Sequence, residues 1–385
     1  MKTSRTFKIP YVLSFFIMIS AAILSCGGGG GGGGGTSSSG GCTTIPANAK
    51  VFKTFSYVDT NGIGTEAFHM LIPTDWTVSG GINWRFDNPG APAVASFSVK
   101  APNGKAELQL LPAQSFFSTQ DQSVLLVFPI GSKYYGNEVR PYPALGPVET
   151  LEQLIVPRNR ANVTDLQIVS KETLTDVALL LRAGLPPQST TTIEAAKIRI
   201  EYTENGTQME EEIYCILESD TFITFIYNNT LWMADYLFSF RAEKGKLDSQ
   251  YKVFESMMYS FRLNPQWFNK YVQLIDYLVQ QQIQVIQSWG QISQIISQTS
   301  DDISDMVWDS YNSRSAANDR MGENFSDYLI GTDTYVNPAD QSTVKLPSGY
   351  GDAWANSLGD YILIDDANYD PNVGSNLSWQ RLNIQ

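Results

Sequence analysis

Residues 193–240 have the sequence IEAAKIRIEYTENGTQMEEEIYCILESDTFITFIYNNTLWMADYLFSF. Apolar and polar residues largely alternate over 193–202, and residues 211–217 end in the apolar run IYCIL, so both segments are typical of β-strands. The dipeptide Asn205-Gly206 lies between these runs and favours a two-residue hairpin turn, because both residues adopt positive φ easily. The segment therefore predicts an antiparallel hairpin near the centre of the fold.

Further strands are expected to extend this hairpin into a meander. Residues 221–227 and 231–240 are rich in aromatic and β-branched side chains, and Asn228-Asn229 between them predicts a second turn. The patterns around the meander predict strands over 67–73, 93–100 and 105–111, and helices over 147–156 and 248–261. We therefore predict an α+β fold in which an antiparallel sheet has flanking helices.

The order of these elements resembles that of the PsbP-like proteins. The similarity covers residues 50–263 and rests on a strand that ends in PTDW at residues 73–76, a central antiparallel sheet, and a closing helix that ends in SFR at residues 260–262. The resemblance implies an α/β sandwich that acts mainly as a protein-binding or assembly module. Nothing in the sequence indicates a pigment or a manganese site.

Residues 264–330 form a second segment with a helical pattern. Apolar residues recur at the a and d positions of a heptad from Ile275 to Met306, with polar residues at Gln282 and Thr299. This pattern predicts a long helix or a helical hairpin. Such a helix either mediates self-association as a coiled coil or packs against its own domain.

Residues 331–385 are expected to form a small module of strands and loops. The module is acidic and contains VKLPSGY at residues 344–350, GDYILI at 359–364 and DPN at 370–372. With the tryptophans at 354 and 379, this string resembles a C-terminal module of bacterial envelope proteins. Its composition is typical of a sugar-stacking surface and equally of a small aromatic core, because large aromatic side chains serve both roles. The aromatic residues that would bind a partner are Tyr350, Trp354, Tyr361, Tyr369 and Trp379.

The N-terminus has the features of a bacterial export signal. Three basic residues precede an apolar run over residues 9–24, which is shorter than the ~20 residues that a transmembrane helix needs. The tetrad ILSC at residues 23–26 resembles a lipobox, although a leucine stands at residue 24 where a small residue is commoner. The resemblance implies a signal peptide over residues 1–25 and a lipid on Cys26. The alternative is a secreted protein that is cut near Ser25.

Residues 26–49 are expected to form a flexible tether. Nine consecutive glycines follow Cys26, and a stretch rich in serine and glycine comes after them. A sequence of this kind behaves as a flexible coil because it has almost no side chains to bury. Gly27, rather than an aspartate, follows the lipidated cysteine, which by resemblance to enteric lipoprotein sorting indicates the outer membrane.

The chain is strongly acidic. Lysine and arginine number 26 against 39 aspartates and glutamates, which gives a net charge of −13, and removal of residues 1–25 would take away basic residues only. Such a chain lacks the basic surface that nucleic acids require, and anionic lipid headgroups would repel most of it. We therefore expect no nucleic-acid partner, membrane attachment through the N-terminal lipid, and a protein of the envelope as the partner.

Two further cysteines, Cys42 and Cys215, offer one disulfide. Cys42 lies at the end of the tether, and Cys215 lies in an apolar strand. In an oxidising compartment the two cysteines can pair, which would tie the tether to the folded body. The alternative is a buried Cys215 and a free Cys42.

The sequence contains no catalytic motif, and we predict no cofactor and no metal. His69 is the only histidine, and no G-x-S-x-G motif is present. Residues 59–66 and residues 365–370 place oxygen ligands close together, as calcium loops do, but ordinary turn chemistry explains both patterns equally well.

Three classes of function are compatible with these features. The first is a membrane-anchored, non-catalytic binding or assembly lipoprotein of the bacterial cell envelope, which the lack of a nucleophile or cofactor motif favours. The second is a polysaccharide- or cell-wall-binding lipoprotein that uses the C-terminal aromatic residues. The third is an envelope hydrolase with a pair of acidic residues, for which the sequence does not single out a pair.

Overall fold

The computed structural model describes residues 49–280, apart from 86, 89, 90, 184 and 186–188, and residues 332–385, apart from 339, 340, 367 and 374. Strands account for 49% of this part of the chain and helices for 20%. The protein is therefore an α+β protein dominated by antiparallel sheets, with few and short helices. This confirms the predicted fold class in its coarse form.

The strands and helices have the following bounds. The strands are β1 Lys50–Val58, β2 Glu66–Pro73, β3 Thr77–Trp84, β4 Ala93–Lys100, β5 Ala106–Leu110, β6 Gln114–Thr119, β7 Lys133–Tyr134, β8 Asn137–Arg140, β9 Thr164–Thr173, β10 Thr192–Glu204, β11 Thr207–Thr224, β12 Tyr227–Glu243, β13 Arg262–Leu263, β14 Thr332–Val336, β15 Thr343–Pro347, β16 Asp352–Asn356, β17 Tyr361–Ile364, β18 Trp379–Arg381 and β19 Asn383–Ile384. The helices are α1 Gln122–Val127, α2 Pro147–Thr150, α3 Val156–Asn159, α4 Thr175–Ala183, α5 Leu247–Ser260 and α6 Pro265–Gln280, and a π-helical turn, Leu151–Ile155, joins α2 to α3.

These strands form three sheets. The ten-stranded sheet has the order β3-β4-β5-β12-β11-β10-β9, with β6 also pairing with β12, and with β8 and then β7 extending from β6. The six-stranded sheet has the order β13-β2-β1-β17-β16-β18, and the three-stranded sheet has the order β15-β14-β19. The pairing of β6 with β8 is parallel, and the other pairings of the described strands are antiparallel.

The first turn of the meander lies where the sequence predicts it. Asn205 and Gly206 have φ values of 50° and 77° and connect β10 to β11, as expected for the hairpin turn that this dipeptide favours.

The second turn of the meander lies elsewhere, and its prediction at Asn228-Asn229 is wrong. β11 continues without a break to Thr224, and the turn is Phe225-Ile226, where Phe225 has a φ of 57°. Asn229 is instead buried in β12, where its side-chain oxygen accepts a hydrogen bond from the hydroxyl of Thr119 at 2.7 Å. Pairing with β6 therefore overrides the local turn preference of the two asparagines.

Strand β12 is buried on both of its faces. On one face, Phe238 and Phe240 belong to a large apolar core between the ten-stranded and six-stranded sheets. On the other face, Trp232 and Leu237 belong to a second core, which also contains residues of α3 and of the π-helical turn, such as Ile155. The ten-stranded sheet is therefore the middle layer of the structure.

Aromatic stacking joins the two large sheets. Phe68 of β2 stacks on Phe97 of β4, with ring centroids 5.1 Å apart, and on Phe261 at 4.9 Å. Phe240 of β12 stacks on Phe254 of α5 at 5.0 Å. The predicted helix over 248–261 is thus confirmed as α5, and its apolar side packs into the first core.

The long helical segment predicted over residues 264–330 lies only partly within the described residues. Its first part is α6, in which Trp267, Tyr271, Ile275 and Leu278 are buried. Residues 281–330, and with them most of the predicted heptads, lie outside the described part of the chain. No helix of the described part is long and apolar enough to cross a membrane.

The C-terminal strands complete the six-stranded sheet. β17 pairs with β1, so that Tyr361 lies opposite Phe52, and β16 and β18 continue the sheet beyond β17. Tyr335 and Leu363 lie in the same apolar core as α5 and α6. Leu263 and Trp267 both belong to this core, so residues on the two sides of the predicted boundary at 263 pack together.

We expect a chain that ends at Leu263 to unfold at a lower temperature than the full chain, or to aggregate. Such a chain leaves one edge of β1 without its partner strand and removes Trp267 from the core, and exposed strand edges promote association. Circular dichroism melts of both chains test this expectation. A cooperative melt of the shorter chain at the midpoint of the full chain would contradict it.

Candidate interaction surface

The structure describes one of the three cysteines, Cys215. Cys26 and Cys42 lie outside the described residues. Cys215 is buried in β11 as part of the second core, and burial, with a contribution from Asp235, raises the pKa of its thiol. The thiol is therefore protonated at neutral pH, and its pairing with Cys42 stays a prediction.

The aromatic residues predicted to bind a partner lie on both faces of the six-stranded sheet. Tyr361 lies opposite Ala355 across the β16–β17 pair, and both side chains pack against the first core. Trp379 lies opposite Asn356, and side chains alternate along a strand, so Trp354 and Trp379 share the other face. Tyr361 therefore lies on the opposite face of the sheet from the two tryptophans.

The two remaining aromatic residues lie in loops. Tyr350 packs against the first core, and the ammonium group of Lys252 lies 4.9 Å from the centroid of its ring. Tyr369 is half-buried in the loop that follows β17. The structure therefore places the five aromatic residues in three different environments, and the pair Trp354 and Trp379 is the one that shares a face.

The calcium-like loop at residues 59–66 is organised by a buried carboxylate. Asp59 accepts hydrogen bonds from the indole N–H of Trp84 at 3.1 Å, from the indole N–H of Trp267 at 2.9 Å, and from the backbone N–H of Ile63 at 3.0 Å. A Cβ atom at Gly62 would lie 2.2 Å from the Trp84 indole nitrogen, so the loop requires glycine there. Asp59 therefore uses its oxygen atoms to join the β1–β2 loop to β3 and α6.

The second oxygen-rich loop also uses its carboxylates within the chain. Asp365 accepts from the backbone N–H of Gly351 at 3.1 Å, and Asp366 and Asp370 each accept from the backbone N–H two residues later. Within the described residues, no three histidine, cysteine, aspartate or glutamate side chains are grouped to hold a metal ion. In both loops, carboxylate oxygens thus accept hydrogen bonds from groups of the same chain.

Replacing Asp59 with alanine should destabilise the fold by roughly 2–4 kcal/mol, because two buried indole N–H groups lose their acceptor. Asp75→Ala, at an exposed turn, is the matched control and should change stability little. Urea unfolding with and without calcium measures both effects. An increase in stability on adding calcium that depends on Asp59 would contradict its role as an internal acceptor.

Most buried acidic residues of the ten-stranded sheet are held in ion pairs. The guanidinium of Arg160 donates to Glu211 at 2.6 Å, and Tyr202 donates to the same carboxylate at 2.9 Å. The guanidinium of Arg241 donates to Glu107 at 2.7 Å. Buried charges are tolerated when they are paired in this way, so these carboxylates serve the structure.

Asp235 differs from these paired acids. It is buried in β12, its Oδ2 atom has no hydrogen-bond partner in the described structure, and burial, together with the nearby Glu218, raises its pKa to about 8. The pairing register of β11 and β12 shifts beside it, and Tyr236 has a φ of 44°. A buried, protonated carboxyl therefore lies at a strained bulge, which is typical of functional sites.

Asp235→Asn should make the stability of the fold less dependent on pH. The native state binds the Asp235 proton up to pH about 8, whereas an unfolded aspartate releases it near pH 4, so this residue lowers stability as pH rises between these values. The stability of the variant relative to the wild type should therefore increase from pH 4 to pH 8, by at most about 1.4 kcal/mol per pH unit. Denaturant unfolding at both pH values measures it, and an equal difference at both would contradict the raised pKa.

An exposed apolar surface lies at one end of the ten-stranded sheet. Phe225 and Ile226, at the turn between β11 and β12, are 92% and 81% exposed, and Leu126 of α1 is 85% exposed. We call this surface the apolar end, and it consists of Leu126, Val127, Ile130, Ile223, Phe225 and Ile226. Clusters of exposed large apolar side chains commonly mark interaction sites.

Helix α1 is held beside the base of the β11–β12 turn. The backbone N–H of Gln120 donates to the carbonyl of Asn228 at 3.1 Å, and the Gln120 side chain accepts from the Asn228 N–H at 3.2 Å. Asp121 then caps α1 by accepting from the N–H of Ser123 at 2.8 Å. The chain thus enters α1 directly from the strand that flanks the turn.

The turn extends beyond its neighbouring strand. The pairing of β10 with β11 ends at Thr192 and Ser219, so residues 220–224 of β11 pair only with β12. The segments 221–231 and 122–130 also contain no charged residue. The apolar end is therefore an uncharged projection on a strongly acidic protein.

Sequence analysis missed the apolar end because residues 221–227 also fit a buried strand. The sequence signal was available in the run FITFI at residues 222–226, which is apolar without the alternation of a half-buried strand.

The comparisons with known proteins do not assign a family. No protein-family model matches the sequence, and no curated protein matches it at a significant level.

Proposed function

We propose that the chain is a lipid-anchored, non-catalytic binding or assembly lipoprotein of the bacterial cell envelope, anchored in the outer membrane rather than the inner one. The observation that carries this proposal is the exposed, uncharged apolar end of an otherwise acidic chain, which would serve as an interaction surface. The signal-like residues 1–25, Cys26 and the glycine-rich tether support it from the sequence.

The tether would keep the apolar end close to the membrane without fixing its orientation. Residues 26–49 would form a flexible tether of 24 residues, and a glycine-rich coil of this length has a root-mean-square end-to-end distance of roughly 25–30 Å. A surface held within such a distance meets its partner at a high effective concentration. Weak individual contacts at the apolar end would therefore suffice for binding.

Several finer features belong to the same proposal. The PsbP-like sandwich over residues 50–263 would act as a protein-binding module, and the long helix over residues 264–330 would extend α6. We propose a protein of the envelope as the partner and no cofactor.

Two other functions are each favoured by a specific observation. Binding of envelope polysaccharide would use the half-buried Trp354, which shares one face of the six-stranded sheet with the buried Trp379. Hydrolysis by a pair of acidic residues would use Asp235 and Glu218, since Asp235 has the raised pKa that a general acid needs. The anchored binding protein remains the leading proposal, because the apolar end is exposed whereas Asp235 is buried.

Cys26→Ser should move the protein from the membrane fraction to the soluble fraction, because the variant has no thiol to accept the lipid. Cys42→Ser is the matched control in the same N-terminal segment and should stay with the membranes. Fractionation of cells that express each variant, with mass spectrometry of the N-terminus, measures both. A wild-type N-terminus without lipid, together with unchanged fractionation of Cys26→Ser, would contradict the proposed anchor.

A further inference from the structure

We infer that the apolar end inserts into the lipid bilayer and forms a second attachment beside the N-terminal lipid. The inference rests on the proposed anchor. It assigns the acyl region of a membrane to the apolar end, so that the proposed envelope protein would bind another surface of the chain. The side chains that would insert are Ile223 at the end of β11 and Phe225 and Ile226 of the turn. Those of α1 would lie beside them.

The charge distribution favours a lipid surface. The whole chain has a net charge of −13, so most of its surface is repelled by anionic headgroups. Residues 122–130 and 221–231 lack charge, and the nearest acids along the chain, Asp121 and Asp220, precede these segments. Asp121 caps α1, and Asp220 is buried and accepts from Thr191 at 3.0 Å. The apolar end can thus approach a membrane that the rest of the chain avoids.

The shape of the turn sets the depth of insertion. The pairing of β11 with β10 ends at Ser219, and β6 pairs with β12 as far as Asn229, which lies opposite Phe222. Ile223, Thr224 and the turn therefore extend past both neighbouring strands, which corresponds to roughly 7 Å of strand. Interfacial apolar groups are typically buried about 5–10 Å into the headgroup and acyl boundary. The projection is therefore long enough to insert its tip while the body of the sheet stays in water.

Polar groups behind the tip match the headgroup region. The hydroxyls of Thr221 and Thr230 lie 3.1 Å apart across the hairpin, and Tyr227 follows the tip directly. Tyrosine is enriched at membrane interfaces because its ring is apolar and its hydroxyl is polar. The outer edge of residues 220–224 lacks a β10 partner, and hydrocarbon cannot satisfy its backbone groups. Insertion therefore stops at the tip.

The apolar end is expected to hold the chain only weakly by itself. Its small number of apolar side chains is comparable to a single acyl chain, which gives marginal and reversible binding. The tether makes the contact effectively intramolecular. Loss of the lipid at Cys26 therefore still releases the protein, whereas loss of the tip changes how the anchored body sits on the membrane.

Site-specific fluorescence tests this inference on the full chain. In a Cys42→Ser background, an environment-sensitive dye is attached at Ile226→Cys or, as the matched control, at Gln208→Cys. Gln208 is exposed on the same strand, and 15 residues separate it from Ile223, which corresponds to roughly 50 Å. The background chain without an added cysteine serves as the blank, and vesicles of phosphatidylcholine serve as the membrane.

On addition of vesicles, we expect a blue shift and a severalfold rise in the emission of the dye at residue 226, with quenching by spin-labelled acyl chains. The dye at residue 208 should not respond. If neither dye responds while the protein floats with the vesicles, the tip does not insert, although the proposed anchor holds. If the protein does not float at all, both proposals fail. Shielding of the dye at residue 226 in native envelopes but not by vesicles would overturn the inference in favour of a protein partner.

A second variant separates the tip from the stability of the fold. Phe225→Ser combined with Ile226→Ser should leave the melting temperature nearly unchanged, because both side chains are exposed. A dye attached at Ile223→Cys should respond to vesicles in the otherwise unchanged chain and should lose this response in the double-serine variant. A retained response would overturn the inference.

Discussion

Strand β12 imposes the constraint on which the rest of the structure depends, because it is paired along both edges and buried on both faces. β11 pairs with one edge, and β5 and β6 share the other. A strand in this position must satisfy every backbone group and can hold a charge only beside an opposite charge. Arg241 meets this condition by donating to Glu107 of β5 and to Glu204 of β10 at 3.0 Å.

The two cores on either side of β12 explain how distant parts of the chain are held together. The first core lies between the ten-stranded and six-stranded sheets, and the pairing of β17 with β1 joins the last part of the chain to the first described strand. Asp59 adds a polar link within this region, since it accepts from both Trp84 and Trp267. The apolar end is the contrasting region, because its side chains, at the tip of the β11–β12 hairpin and in and after α1, belong to neither core.

The sequence predicts local features of this fold well and distant pairings poorly. The turn at Asn205-Gly206 depends on these two residues alone, so its hairpin is predictable. Strands β2, β4 and β5 and helix α5 are predictable for the same reason, because their patterns are local. The turn at Phe225-Ile226 is not predictable in the same way, because β6 recruits Asn229 from about 110 residues away. The pairing of β1 with β17 and the hydrogen bonds of Asp59 were not predictable for the same reason, because the partners are far apart in the sequence. The aromatic residues of the C-terminal strands were identified from composition. Which face of the sheet each of them occupies depends on strand register, which composition does not give.

The central claim is that one hairpin supplies both the middle of the core and the contact with the membrane. Amide hydrogen exchange of the full chain, free and bound to phosphatidylcholine vesicles, tests it most directly. The account predicts slow exchange over residues 231–240 in both states, and fast exchange over residues 221–227 that becomes slower only with vesicles. Equal exchange of residues 221–227 in both states would contradict the membrane contact, and fast exchange over residues 231–240 would contradict the central position of β12.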